Sequence, residues 1–264
     1  MGREDGPELD LHVHTTASDG TLELDEVPAA ARAAGVGTVA VTDHDRIHPG
    51  LDAPVTERDG IRLVRGVELR VDAGDLRVDL LGYGVADGTD LDAELDRLQQ
   101  NRIERARAIV DCVEDELGVT LDVDLDDGVG RPHIARAVES SDAPYDYQGA
   151  FDRLIGSDCP CYRPREIPTF ECGRDILDEA CAVVSLAHPF RYPDVDRALD
   201  LAREVGAVER YYPYDRPVPV DEIERVAREA GLVRTGGSDA HDRRLGRAGL
   251  AGEEAGAFLA RLEE

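Results

Sequence analysis

The sequence predicts an α/β chain in which short strands alternate with helices, as a parallel barrel or an open sheet, interrupted by a largely helical insert. Three observations carry this. Apolar runs of strand length recur between amphipathic stretches in the N-terminal third and again in the C-terminal third. Near Asp90 the pattern changes to long helical spacing. Six of the seven histidines fall in short segments, mostly at the ends of predicted strands, beside another histidine, an aspartate, an arginine or a proline.

Taken in order, Leu9 to His14 reads as a strand, and Asp19-Gly20 turns the chain. Leu22 to Ala34 has helical spacing, with Gly35 as its stop. Thr38 to Thr42 is a continuous apolar strand of the kind buried in parallel sheets. Ile61 to Leu69 and Arg77 to Tyr83 are the next two strands. Leu91, Leu95, Leu98, Ile103, Ile109, Val110 and Val113 then line one stripe of a long helix that ends at Gly118. An acidic stretch, Asp122 to Asp127, leads to helical candidates at Ile134–Val138 and Tyr147–Ile155 and an irregular stretch to Pro168. Alternation resumes with a strand at Ala182–Ala187, a helix at Val195–Val205 and a strand at Val208–Tyr212. It ends with a helix at Val220–Ala230, a strand at Leu232–Thr235 and a helix at Glu253–Leu262. Residues 1–89 and 170–264 are therefore expected to form the α/β domain, with 90–169 as the insert.

Composition limits the function classes. At 264 residues the chain allows one large domain, or one domain with an insert. Apolar residues make up 42%, but aromatics only 5% and Trp is absent, so Val, Leu, Ala and Ile must supply the burial. The net charge is −27, and all 30 basic residues are arginine. This charge is spread along the chain rather than blocked, which argues against an acidic tail. The apolar periodicity argues against disorder. Adaptation to concentrated salt is the preferred reading. At ~1 M salt the Debye length is about 3 Å, so surface carboxylates barely repel one another. Such a surface excludes duplex nucleic acid as a partner, because counterion release needs a basic patch. No apolar run approaches membrane-spanning length. Cys112, Cys159, Cys161, Cys172 and Cys181 are odd in number and scattered, and no signal peptide is evident. The expectation is reduced thiols and a cytoplasmic location.

The histidines carry the chemistry. His12 and His14 are two apart on a strand, so both side chains point to one face and can grip one ion at its end. Alone, such a pair weighs evenly against polar residues on a half-exposed strand. Asp239 and His241 repeat the spacing after Gly236-Gly237. Two such pairs ending separate strands favour a polynuclear metal site and a metal-dependent hydrolase.

Leu11-His-Val-His-Thr-Thr-Ala-Ser-Asp-Gly20, Thr42-Asp-His-Asp45, Gly66-Val-Glu68 and Gly237-Ser-Asp-Ala-His241 together resemble the PHP family, the polymerase and histidinol phosphatase metal-dependent hydrolases. The resemblance spans nearly the whole chain. The insert, Arg131-Pro-His133 and Ala187-His-Pro189 look most like the branch that hydrolyses nucleotide phosphoesters, often with three metals. It implies a distorted (β/α)7 barrel with its site at the C-terminal strand ends, where barrel enzymes place their chemistry. It also implies two or three divalent ions. One would be held by His12, His14, Glu68 and Asp239. A second would share Glu68 and add His133, and a third would use Asp19, His44 and His241. Mixed nitrogen and oxygen ligation suits Mn, Fe or Zn. In one place the chain departs from the family. Asp79 stands where a second-ion histidine is expected, and it is read as a retained ligand of harder character.

Asp43 and Asp45 are read as supports for their neighbouring ligands, and His48 as a loop residue without a role. For His188 three readings compete: ligand, proton donor or satisfied core histidine. Support of the ligands or proton donation is preferred. Arg131 is expected to hold a phosphate bidentately. Arg165 could do the same, though a plain surface arginine is an equal reading. The expected substrate is a small phosphorylated molecule such as a 3′,5′-bisphosphate nucleotide or a short oligoribonucleotide, hydrolysed by a hydroxide that bridges two metals. Histidinol-phosphate phosphatase activity and a non-catalytic metal-binding domain are the alternatives.

Overall fold

The computed structural model describes residues 6–263; the outermost ends of the expected α/β domain lie outside them. The chain divides into two compact units. One runs up to Ala93 and resumes at Ile167, and the other is Glu94–Glu166.

The first unit is built on β1 (Leu9–Val13), β2 (Thr38–Val41), β3 (Val55–Arg58), β4 (Ile61–Asp72), β5 (Arg77–Tyr83), β6 (Val183–Leu186), β7 (Ala207–Tyr211) and β8 (Val233–Gly236). Seven strands follow the order β1-β2-β4-β5-β6-β7-β8, and β3 pairs off this path with β4. Every residue of β1, β2 and β6 is buried, the polar Asp10, His12 and Ser185 included. Consecutive residues serve opposite faces. Val39 joins Val41, Leu63 and Val27 in one cluster, whereas Ala40 joins Leu11, Leu81 and Tyr83 in another. Phe258 is fully buried in the second cluster and meets Tyr83 edge-on at 5.3 Å. Burial of a Phe of this kind contributes about 1.5–3 kcal/mol.

The sheet is not wholly parallel. β5 runs antiparallel to both β4 and β6, while the β1–β2, β2–β4, β6–β7 and β7–β8 pairs are parallel. The reason is loop length. Only residues 73–76 join β4 to β5, and a parallel return needs a crossover of a dozen or more residues. β3 was missed by sequence reasoning. It forms a hairpin with β4 across Asp59-Gly60, both at positive φ (51° and 76°), the pattern of a type I′ turn.

Helices α1 (Val27–Ala34), α5 (Phe170–Ala180), α6 (Val195–Val205), α7 (Val220–Ala230) and α8 (Gly252–Arg261) belong to this unit. α2 (Asp90–Leu117) starts in it and continues into the second. Glycine closes α1, α6 and α7 in the left-handed conformation. α5 was not anticipated. Thr169 caps it by accepting the Cys172 N–H, and Phe170, Gly173, Leu177 and Ala180 form its buried stripe.

The second unit packs α2 with α3 (Arg131–Ser140) and α4 (Tyr147–Ala150), which continues as a π-turn at Phe151–Ile155. Its core includes Ile109, Val113, Ile134, Val138, Leu154 and Ile155. Here the expectation of reduced thiols fails. Cys112 on α2 is bonded to Cys161, with Cα atoms 5.5 Å apart, while Cys159, Cys172 and Cys181 are free. The partners are 49 residues apart, and spacing alone cannot reveal such connectivity. Among the described residues no helix is long and apolar enough to cross a membrane.

Candidate metal centre

The first strand delivers its histidines onto a braced platform. Asp10 is fully buried and its carboxylate accepts the Ser238 N–H and O–H and the Gly246 N–H, which ties the segment after β8 to β1. Beyond β8 the chain bonds directly to β1. His14 N donates to Ala240 O at 2.9 Å, and Ala240 N to His12 O at 3.2 Å. Gly237 makes this possible, because a Cβ there would collide with the His12 backbone and Cβ. His12 Nδ1 lies 3.0 Å from Glu209 Oε1. A carboxylate only accepts, so Nδ1 carries the proton and Nε2 presents its lone pair to the site.

The second strand positions His44. Asp43 precedes it. Its carboxylate accepts from Thr15 N, Thr15 Oγ1 and Ser18 Oγ, and so fixes the loop that carries Asp19. β4 outruns β2, so Glu68 sits just past the end of β2. There Glu68 N donates to Asp43 O and Asp45 N donates to Glu68 O.

Glu68 is the hub. It is 2% exposed, with Oε2 at 3.5 Å from His12 Nε2, 3.3 Å from His14 Nε2 and 2.8 Å from His44 Nδ1. Its Oε1 lies 3.1 Å from His188 Nε2. Asp239 Oδ1 lies 3.5 Å from His12 Nε2, 3.2 Å from His14 Nε2 and 3.6 Å from His241 Nδ1. Asp19 Oδ1 lies 3.2 Å from His241 Nε2 and 3.9 Å from His44 Nε2. At the rim, Tyr212 and Arg191 both donate to Asp239 Oδ2, at 2.8 and 2.9 Å. Among the described residues four non-glycines adopt positive φ, and three of them, Asp45, His188 and Asp239, surround this site. Strain of this kind gathers where function requires it.

The ligand atoms form three abutting groups, in each of which they lie within 4.8 Å of one another. The groups are His14, Asp19, His44 and His241; His12, His14 and Asp239; and His12, Glu68 and His188. Burial works against charge on Glu68, yet His44 and His12 hold its pKa well below the ordinary glutamate value. Asp239 is likewise lowered against burial by His12 and His14, and Asp19 by His241 and His44. Burial also opposes charge on His12, but Glu209, Asp239 and Glu68 hold its pKa well above that of an ordinary imidazole. The carboxylates thus stay ionised, while burial, His44 and His241 lower the pKa of His14 and favour its neutral form.

Buried polar atoms are normally satisfied. Here His12 Nε2, both nitrogens of His14, Asp19 Oδ1, Glu68 Oε2 and His188 Nδ1 are buried without a hydrogen-bond partner. An unmet buried group costs about 1–3 kcal/mol, so this concentration needs a compensating ligand. Neutral imidazole nitrogens and carboxylate oxygens converging on common points are what a divalent cation requires. The first two groups fit an ion.

Of the expected site residues, the structure brings His12, His14, Asp19, His44, Glu68, Asp239 and His241 together. His188 joins them within a ligand group. Asp79 sits in none of the three groups. Its carboxylate is held by Arg70, with Nε at 2.6 Å from Oδ1 and Nη2 on Oδ2. His133, Arg131 and Arg165 belong to the helical unit. There His133 Nδ1 accepts the Gly130 N–H, and Arg131 lies over the Phe151 and Tyr162 rings. His48 accepts the Gly50 N–H within its own loop. Sequence reasoning missed Glu209, Asp10, Arg70, Arg191 and Tyr212. The available signal was a lone acid inside an apolar strand, at Asp10 in Leu-Asp-Leu and at Glu209 in Ala-Val-Glu.

Comparison with known proteins agrees with this geometry. The PHP domain family model matches residues 10–147. A 3′,5′-nucleoside bisphosphate phosphatase from Chromobacterium violaceum is 31% identical over 203 residues, which cover 72% of this chain and 70% of that protein. A phosphoribosyl 1,2-cyclic phosphate 1,2-diphosphodiesterase from Eggerthella lenta is 30% identical over 252 residues, 88% of this chain and 93% of that one. A solved structure of an amidohydrolase from Chromobacterium violaceum superposes with a TM-score of 0.77 over 96% of each chain. At 24% identity this likeness is one of fold. The chain belongs to the PHP domain family.

Proposed function

We propose that this protein is a metal-dependent phosphoesterase that hydrolyses a phosphate ester of a nucleotide. The observation that carries the reading is the set of three abutting imidazole and carboxylate groups around buried Glu68. The 3′,5′-nucleoside bisphosphate phosphatase relative supports the substrate class. His12, His14, Glu68 and Asp239 are proposed to hold one ion, and Asp19, His44 and His241 another. Mn, Fe or Zn suits such mixed ligation. Ions bound there supply Lewis acidity and lower the pKa of water toward ~7.

The chain's own groups divide the remaining work. Glu209 fixes the His12 tautomer from Nδ1 and accepts the His188 N–H at 2.7 Å, so one carboxylate orients two neighbours. His188 keeps Nε2 on Glu68 Oε1, so it is proposed to position that carboxylate rather than to donate a proton. Arg191 and Tyr212 hold Asp239 Oδ2 and leave Oδ1 facing His12 and His14. Within the helical unit, Arg131 and Arg165 are proposed phosphate-binding cations. The acidic surface is proposed to reflect life in concentrated salt. The disulfide removes the thiol argument for a cytoplasmic location, and the nucleotide substrate is what supports it.

The test is turnover of 3′,5′-bisphosphate nucleotides, short oligoribonucleotides and histidinol phosphate, with and without added Mn. Hydrolysis of the nucleotide substrates that stops on chelation is the expected result. Preference for histidinol phosphate would overturn the substrate class. Inertness toward every phosphoester would favour a non-catalytic metal-binding domain.

A further inference from the structure

The three ligand groups cannot all be filled at once. His12 belongs to two of them, and so does His14. His12 Nδ1 is committed to Glu209, which leaves Nε2 as its one ligand atom, and a nitrogen lone pair binds one ion. If one ion takes His12, His14 and Asp239, the open group keeps Asp19, His44 and His241. The last group keeps only Glu68 and His188.

Asp79 is the nearby carboxylate that could complete it. Its Oδ2 lies 3.8 Å from His188 Nε2, and it is 1% exposed. Both its oxygens are already taken in a two-pronged pair with Arg70, and its backbone N–H donates to Tyr192 Oη at 2.8 Å. Paired charge-assisted bonds of this geometry are among the strongest side-chain contacts. A cation at this carboxylate would have to share its oxygens with the guanidinium, positive charge against positive charge.

We propose that this chain's centre holds two ions, not three, and that the Arg70 guanidinium occupies the position of the third cation against Asp79. The inference rests on the metal-centre reading above. It gives Asp79 a role that the sequence alone does not suggest, as the anchor of a built-in organic cation. Arg70 carries one positive charge where a divalent ion would carry two, so this side of the site is less positive and its cation cannot be removed by a chelator.

The experiment is an ion count. The full-length protein is loaded with Mn, freed of unbound metal by gel filtration, and analysed by plasma mass spectrometry. Two ions per chain are expected for the natural protein. Arg70→Gln should raise the count to three, and Arg70→Gln with Asp79→Asn should return it to two. Three ions in the natural protein would overturn the proposal, as would a count of two in an Arg70→Gln variant whose circular dichroism is native. Should Arg70→Gln fail to fold, anomalous Mn peaks in crystals of the natural protein decide instead. A peak at Asp79 sinks the idea, and two peaks away from it sustain the idea. No bound ion at all would overturn the metal-centre reading itself, which keeps the two failures distinct.

Discussion

The two ends of the ligand set use the same residue types under opposite conditions. At the buried end, His12, Glu68 and His188 are at most 3% exposed. Glu209 supports two of them, and the Arg70–Asp79 pair stands beside them. At the open end the side chains of Asp19, His44 and His241 are 19%, 27% and 38% exposed. Their supports are loop contacts: Asp43 holds the loop that carries Asp19, and His241 Nδ1 meets the Asp239 carbonyl at 3.1 Å. Burial with fixed partners gives a preorganised, low-dielectric ligand set, whereas exposure gives access. The buried end is therefore built to retain an ion, and the open end to exchange one and to meet substrate.

Mutations can break that division. Asp239 Oδ1 faces His12 and His14 on one side and His241 on the other, so Asp239→Asn should damage both ends at once. The expected fall in kcat/KM exceeds the roughly 10–100-fold that loss of a supporting contact costs, with bound metal lost as well. Near-normal turnover would contradict the assignment. His241→Ala should act on one end only. Elemental analysis should show one ion fewer, with the other retained, and departure of both would show that the ends are not independent. Glu209→Gln should weaken metal affinity or turnover by roughly 10–100-fold through the buried end alone. The check is an Mn titration, in which only the tighter phase should shift. Chelation of the natural protein tests the buried end's contribution to stability. An ion present at roughly 1,000 times its Kd adds about 4 kcal/mol. At about 2–4 °C per kcal/mol for a domain approaching this size, the melting temperature should drop by about 8–16 °C. No drop would mean that the buried ligands are satisfied without metal.

The proposed ligands were more legible in the sequence than the residues that steer them. His12, His14, Asp239 and His241 stand out because spacing of two at a strand end is a local pattern. Helices α6 and α7 are equally local, with apolar stripes and glycine stops, and so is the change of period at Asp90, the first residue of α2. Glu209 and Arg70 are different. Each matters because the sheet brings it to a partner, 197 residues away for Glu209 and His12. Arg70 meets Asp79 across the antiparallel β4–β5 register, and an assumption of parallel strands hides that pairing. The Cys112–Cys161 bond was invisible for the same reason, since only the fold of the helical unit brings the two together.

Salt gives the smallest effect and sharpens the comparison. The net charge of −27 opposes compaction by mutual repulsion, and exposed ion pairs return little, about 0–1 kcal/mol each. Between about 0.1 and 1 M salt the Debye length falls from about 10 to about 3 Å. Repulsion among surface carboxylates then fades faster than the exposed pairs lose strength, so the melting temperature should rise with KCl. The ligand set should feel the same change unequally. Carboxylate attraction for a cation at the partly exposed Asp19 passes in part through water and is screened more, whereas attraction at Glu68 passes through protein. In an Mn titration, molar KCl should therefore weaken the looser phase by a larger factor than the tighter one. Equal weakening of both would mean that burial does not separate the two ends electrostatically. A melting temperature unchanged from dilute to molar KCl would remove the case for salt adaptation.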